Sequence, residues 1–129
     1  MVCSAACMDR VAEDLKVRTK VFAVKVLEFV ETLPKSPGGE AVAKQLARAG
    51  LGVVGNYRSS CRARSHTEFT ARIGIVLDEA DESELWTEVT EDRAWGDAAK
   101  RAWLLDESRQ LRAIFSKAVT TAKFRERHP

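Results

Sequence analysis

Residues Gln45–Ser83 read QLARAGLGVVGNYRSSCRARSHTEFTARIGIVLDEADES. Wound as a helix at about 100° per residue, the first half, with Lys44 just ahead of it, gathers Lys44, Arg48, Arg58 and Arg62 within roughly 80° of one another. Leu46, Val53 and Tyr57 fall on the opposite side. The pattern is a basic stripe along one helix, backed by an apolar stripe that faces a core. Gly50, Gly52 and Gly55 lie inside the same helix, and each costs about 1 kcal/mol relative to alanine. Their concentration points to close approach of a neighbouring helix backbone. A break at Gly50–Gly52 is the competing reading, and it scatters the stripe.

The chain has 129 residues, enough for one domain with its own core. Abundant Ala, Leu, Glu, Lys and Arg, with three prolines and seven glycines, favour helix. The net charge of +2 says little, but its distribution is segregated. Residues 38–75 carry six Lys/Arg and two acids, residues 98–129 eight and three, and residues 76–97 nine acids and one Arg. Local fields are therefore strong although the total nearly cancels.

The expected fold is all-α, an antiparallel up-down-up-down four-helix bundle. The domain is expected over residues 12–125, between a flexible N-terminal tail, 1–11, and a short C-terminal one, 126–129. The first helix runs from Ala12 to Thr32, with Leu15, Phe22, Val26, Phe29 and Leu33 at helical spacing. Val17, Val21, Val24 and Leu27 widen its apolar arc beyond the needs of one core. Leu33-Pro34-Lys35-Ser36-Pro37-Gly38-Gly39 ends it, because proline has no amide hydrogen and pushes the preceding residue out of the α region. The second helix is expected over Gly39–Arg62. Ser65, with Glu68 three positions on, forms a capping-box pattern for the third. That helix presents Phe69, Ile73, Val76, Leu77, Ala80 and Thr87 on one face. Ala71, Ile75, Leu85, Trp86 and Val89 form a second stripe. Residues 91–97 make a polar turn, and Asp97 caps a fourth helix carrying Trp103, Leu104, Leu111, Ile114, Phe115, Ala118 and Ala122 on one side.

A bundle needs one buried face per helix, so the second stripe of helix three marks subunit contacts. Ile75, Glu82, Leu85, Trp86 and Val89 are the candidate interface residues, partly polar through Asp78 and Glu82. The nucleic-acid candidates are Lys44, Arg48, Arg58 and Arg62, extended by Arg64 and Arg72. Lys44 to Arg62 spans about 27 Å of helix, comparable to several phosphate spacings. A solvated helix face is the bland alternative. Lys123, Arg125 and Arg127 are a weaker second patch. Sequence-specific base reading has no support, so binding is expected to be electrostatic and salt-sensitive.

No constellation of residues in the sequence points to a reaction. Asp78, Glu79, Asp81, Glu82 and Glu84 point around their helix instead of converging, and the Glu-x-x-His ligand motif of di-iron bundles is absent from the sequence. These acids are expected to be solvated, or paired with arginines of helix two or of a neighbouring subunit. His66 and His128 have no partners for a triad or metal site. Cys61 is expected toward the apolar side of helix two, and Cys3 and Cys7 lack the matching pair a zinc site requires. No phosphate-loop or dinucleotide glycine pattern occurs. The three tryptophans are expected in the core or an interface. Three cysteines without a disulfide framework fit a reducing cytoplasm. The opening MVCSAAC lacks signal-peptide character, and Met8 reads as the natural start. The expectation is a non-enzyme without metal or cofactor.

Several ordered motifs resemble the four helix bundle protein family. They are Arg18-Thr19-Lys20-Val21-Phe22-Ala23, Leu33-Pro34-Lys35, and Gln45-Leu46 with Arg48. Asn56-Tyr57-Arg58 precedes Cys61-Arg62-Ala63-Arg64-Ser65. Glu68-Phe69, Ile73-Gly74-Ile75-Val76 and Glu79-Ala80-Asp81-Glu82-Ser83 follow. That family includes bacterial proteins encoded within intervening sequences of large-subunit ribosomal RNA genes, and the accessory variability proteins of diversity-generating retroelements are similar to it. The resemblance covers residues 14–90 and implies a homopentameric ring. Among the retroelement proteins it implies a positive surface that engages nucleic acid and a reverse transcriptase. The chain departs from the pattern at Gly50-Leu51-Gly52, where small hydroxyl residues are usual. A protein-interaction scaffold without nucleic acid is the rival reading.

Overall fold

The computed structural model describes residues 5–129, with side-chain surroundings from residue 10 onward. Four helices follow one another: α1 (Ala5–Val30), α2 (Pro37–Cys61), α3 (His66–Asp92) and α4 (Ala98–Arg127). No strand occurs among the described residues. α1 begins seven residues before the expected Ala12, so the expected tail is helical from Ala5. Residues 1–4, and the expectations that rest on Cys3 and on the side chains of Cys7 and Met8, lie outside what the structure describes.

Each terminus has a local cause. α1 stops two residues short of the expected Thr32, ahead of Pro34. α2 starts two residues earlier than Gly39, with Ser36 as N-cap and Pro37 in the first turn. Proline fits there because its missing N–H would have no intrahelical partner. Ser65 caps α3 by accepting the Glu68 N–H, and Asp97 caps α4 by accepting the Lys100 N–H at 2.9 Å. Glu68 returns the capping-box bond one residue further back than usual, accepting the Arg64 N–H at 2.7 Å. Two residues of the α3–α4 turn take left-handed backbone, Ala94 at φ +53° and Gly96 at φ +79°, and glycine meets that demand without a Cβ penalty at the second.

Short turns over residues 31–36, 62–65 and 93–97 make consecutive helices antiparallel neighbours. α2 packs on α3 and α3 on α4 along their lengths, while α1 sits mainly on α2 and meets α4 only lightly. The core gathers Phe22, Val26 and Phe29 from α1, Leu46, Val53 and Tyr57 from α2, Ile73, Val76 and Ala80 from α3, and Leu104, Leu111 and Phe115 from α4. The inner face of α3 is partly hydroxylated. Thr70, Ser83, Thr87 and Thr90 are buried, and each donates to a carbonyl of the preceding turn.

Trp103, expected in the core or an interface, lies outside this chain's core. It is 41% exposed and lines a gap between α1 and α4 with Lys25, Ala99 and Lys100. Leu105 and Ser108 are buried on α4 alongside the expected residues. A bidentate ion pair bridges the loose α1–α4 seam. Arg18 donates to both Glu107 carboxylate oxygens at 2.9 and 2.7 Å, and to Gln110 at 2.9 Å.

Candidate nucleic-acid interface

α2 runs unbroken through its glycines, so Lys44, Arg48 and Arg58 stand on one continuous helix with Arg62 at its C-cap. The glycines are not equivalent. A Cβ on Gly50 would lie 2.8 Å from a Val26 methyl, which is the expected close approach to a neighbouring helix. A Cβ on Gly52 would lie 2.7 Å from a carboxylate oxygen of Glu79 on α3, while above Gly55 there is open space.

Lys44, Arg48, Arg58 and Arg62 are all exposed on the outward face of α2, and Arg64 is exposed in the turn that follows. Among the described residues none of the five enters an ion pair. Arg72 differs. It is half-buried on α3 and donates from Nε to Glu68 at 3.1 Å. The stripe also has a middle that the charge pattern concealed: between Arg48 and Arg58 the same face carries Leu51, 47% exposed, and Gly55. The cations therefore form two ends of a face separated by about 15 Å of helix.

At the carboxyl end of α2 the chain reverses and the charges converge. Ser59 and Arg62 from α2, Arg64 from the turn, and Glu68 and Arg72 from α3 line one concavity of about 580 Å³. The backbone hydrogen bond from Arg64, reinforced by the Arg72 side chain, holds Glu68 below the usual carboxylate range.

The acidic stretch of α3 disperses as expected, but its main ion pair corrects the expected partner. Glu84, buried, accepts Arg109 Nε at 3.0 Å and Arg112 Nε at 2.6 Å, both from α4 and not from α2. Arg109 also reaches Glu88 at 3.6 Å. The excess of Lys/Arg in residues 98–129 follows from the sequence, but the rotation that turns Arg109 and Arg112 toward α3 does not.

Glu79 lies over Gly52. Burial, then the neighbouring charges of Glu82 and Asp78, push its carboxyl above the usual range, and Arg48 opposes them. The fold thus favours the protonated form more than the unfolded chain does. Its stability contribution is present in acid and is lost as pH rises through the raised folded value. Glu79→Gln, which keeps the shape, is expected to raise Tm at pH 7 and to leave it unchanged below about pH 4, where wild type is already protonated. Thermal melts at the two pH values check this. An equal shift at both values would assign the gain to packing instead.

Cys61 is exposed, a correction to its expected apolar setting. It is the last residue of α2, and Ser60 takes the inward position, donating to the Tyr57 carbonyl at 2.6 Å. Burial, with Cys61 nearby, pushes the Tyr57 phenol upward, so it stays protonated. His66 Nε2 lies 2.8 Å from the Ala122 carbonyl and fastens the start of α3 to the end of α4. His128 stacks on Phe124 at 4.2 Å.

Of the candidate interface residues, Ile75 and Leu85 are exposed, and Glu82 and Val89 are half-buried. Trp86 packs against the core, with its buried indole N–H lacking a hydrogen-bond partner among the described residues. On α1, Val17, Val21, Val24 and Leu27 are exposed, Val17 by 63%. No helix among the described residues is long and apolar enough to cross a membrane.

Comparison with protein-family models gives no match, and comparison with curated proteins gives none. Among solved structures, the fold is similar to that of a protein of unknown function from the S23 ribosomal protein family of Bacteroides thetaiotaomicron. The two share 22% sequence identity at a TM-score of 0.74, over 81% of this chain and 97% of that one. At that identity the likeness concerns the fold: an all-α bundle of four helices that this chain shares with an S23-family-like protein.

Proposed function

We propose that this chain is a non-catalytic helical-bundle protein that self-associates and binds nucleic acid, structured RNA first, through the outward face of α2 and its exit turn. The observation that carries the reading is the set Lys44, Arg48, Arg58, Arg62 and Arg64, exposed and outside every ion pair among the described residues. Arg18, Arg72, Arg109 and Arg112, by contrast, are engaged with carboxylates. Assembly into a pentameric ring, which the motif resemblance implies, would repeat this surface and strengthen binding by avidity. The same resemblance supplies a reverse transcriptase as the protein partner.

A protein-interaction scaffold is the second reading. The exposed Val17, Val21, Val24 and Leu27 on α1 favour it, since phosphate contact makes no use of them. The test is RNA affinity against salt concentration. We expect a Kd on the order of 1 µM or lower at low salt, with log affinity falling linearly against log salt. Arg58→Ala with Arg62→Ala is expected to weaken binding about tenfold and to reduce the slope by about 2, one phosphate contact per arginine. Negligible affinity at low salt, or loss of the oligomer in that variant by light scattering, replaces the proposal with the scaffold.

A further inference from the structure

We infer that the concavity between the end of α2 and the start of α3 is a seat for a terminal phosphate monoester, the 5′ or 3′ end of a bound strand. This rests on the nucleic-acid reading and assigns one part of that surface a distinct ligand. Arg62, Arg64 and Arg72 against Glu68 leave the concavity with a net charge of +2 among its lining residues. A phosphodiester inside a strand brings one negative charge and two free oxygens. A terminal phosphate brings about −1.5 to −2 charges near neutral pH and three strong acceptor oxygens. The second matches the lining in charge and in the number of guanidinium groups able to pair with it.

The carboxylate shapes the site. Glu68 is occupied by the Arg64 backbone N–H and the Arg72 Nε, so it fixes Arg72 while that residue's outer nitrogens stay unengaged among the described residues. The Arg64 guanidinium enters no hydrogen bond or ion pair among the described residues. Ser59, half-buried on the α2 side, adds a hydroxyl. The rest of the α2 face offers no comparable convergence, since Leu51 and Gly55 interrupt it. A strand lying along Lys44 and Arg48 toward Arg58 would reach the concavity where α2 ends.

The test uses the full chain and one short RNA sequence in three forms: with a 5′-phosphate, with a 3′-phosphate, and with hydroxyls at both ends. One phosphorylated form is expected to bind about tenfold tighter than the hydroxyl form, equivalent to about 1.4 kcal/mol, and its identity names the end recognised. Arg64→Ala is expected to bring that ratio toward one. Arg48→Ala, away from the concavity, is expected to weaken all three forms in proportion and to preserve the ratio. Equal affinity for the three forms overturns the end-phosphate assignment and leaves the nucleic-acid reading standing. A ratio that persists in Arg64→Ala also overturns it. No binding of any form at low salt overturns both.

Discussion

Phe115→Ala is expected to lower the free energy of unfolding by about 3–5 kcal/mol and Tm by roughly 10–15 °C. Phe115 is fully buried on α4, and its ring lies 5.5 Å from that of Tyr57 on α2 at a tilt of 48°. α2 and α4 are not adjacent in the bundle, so this pair joins its diagonal. Removing the ring opens a cavity bordered by residues of rigid helices, which can close only part of it. Tyr57 directly precedes Arg58, so loosening its inner anchor also loosens the cationic face. Denaturant unfolding measures the effect. A loss below about 1.5 kcal/mol, the range of volume-conserving swaps, would show that the site collapses freely and that the diagonal contact matters little.

The second large effect separates two glycines that look alike in the sequence. Gly50→Val is expected to cost about 2–3 kcal/mol, whereas Gly55→Ala is expected to stabilise by up to about 1 kcal/mol. At Gly50 the new Cβ would meet both Val26 methyls and the Val26 Cβ at 2.8 to 3.0 Å, and Val26 is fully buried. A β-branched neighbour held in the core has no alternative rotamer to adopt, so α1 and α2 must separate. Valine's better helix propensity returns only a few tenths of a kcal/mol. At Gly55 no atom of the described residues lies within 4 Å, so alanine reduces the freedom of the unfolded chain without a collision. Thermal unfolding of both variants gives opposite signs if the seam lies at Gly50. The same sign in both would place it elsewhere.

The four helices and their order were legible because the signals that make them are local. Ser65 with Glu68, Asp97 ahead of α4, and Pro34 after α1 act on backbone groups a few residues away. The apolar period likewise named most of the core, Phe22, Val26, Leu46, Val53, Ile73 and Phe115 among them. Trp103 shows where that rule ends: apolar spacing marks a face, but the face is buried only if a neighbouring helix closes over it, and a gap beside Lys25 of α1 leaves this ring 41% exposed.

The candidate site divides in the same way. That Lys44, Arg48, Arg58 and Arg62 share a side of α2 follows from helix geometry alone. That Arg109 and Arg112 are drawn onto Glu84 follows from the rotation of α4 against α3, and the α2 cations, turned outward, stay outside the ion pairs of the described residues. The meeting of Arg62 and Arg72 beside Glu68 likewise depends on how the chain reverses after α2. Sequence determined the helices, their caps and their inward faces, because each is decided by contacts within about one turn. Tertiary structure alone decided which glycines touch, which charges pair and where arginines converge, because those distances depend on the relative rotation and sliding of rigid rods, which no local period specifies.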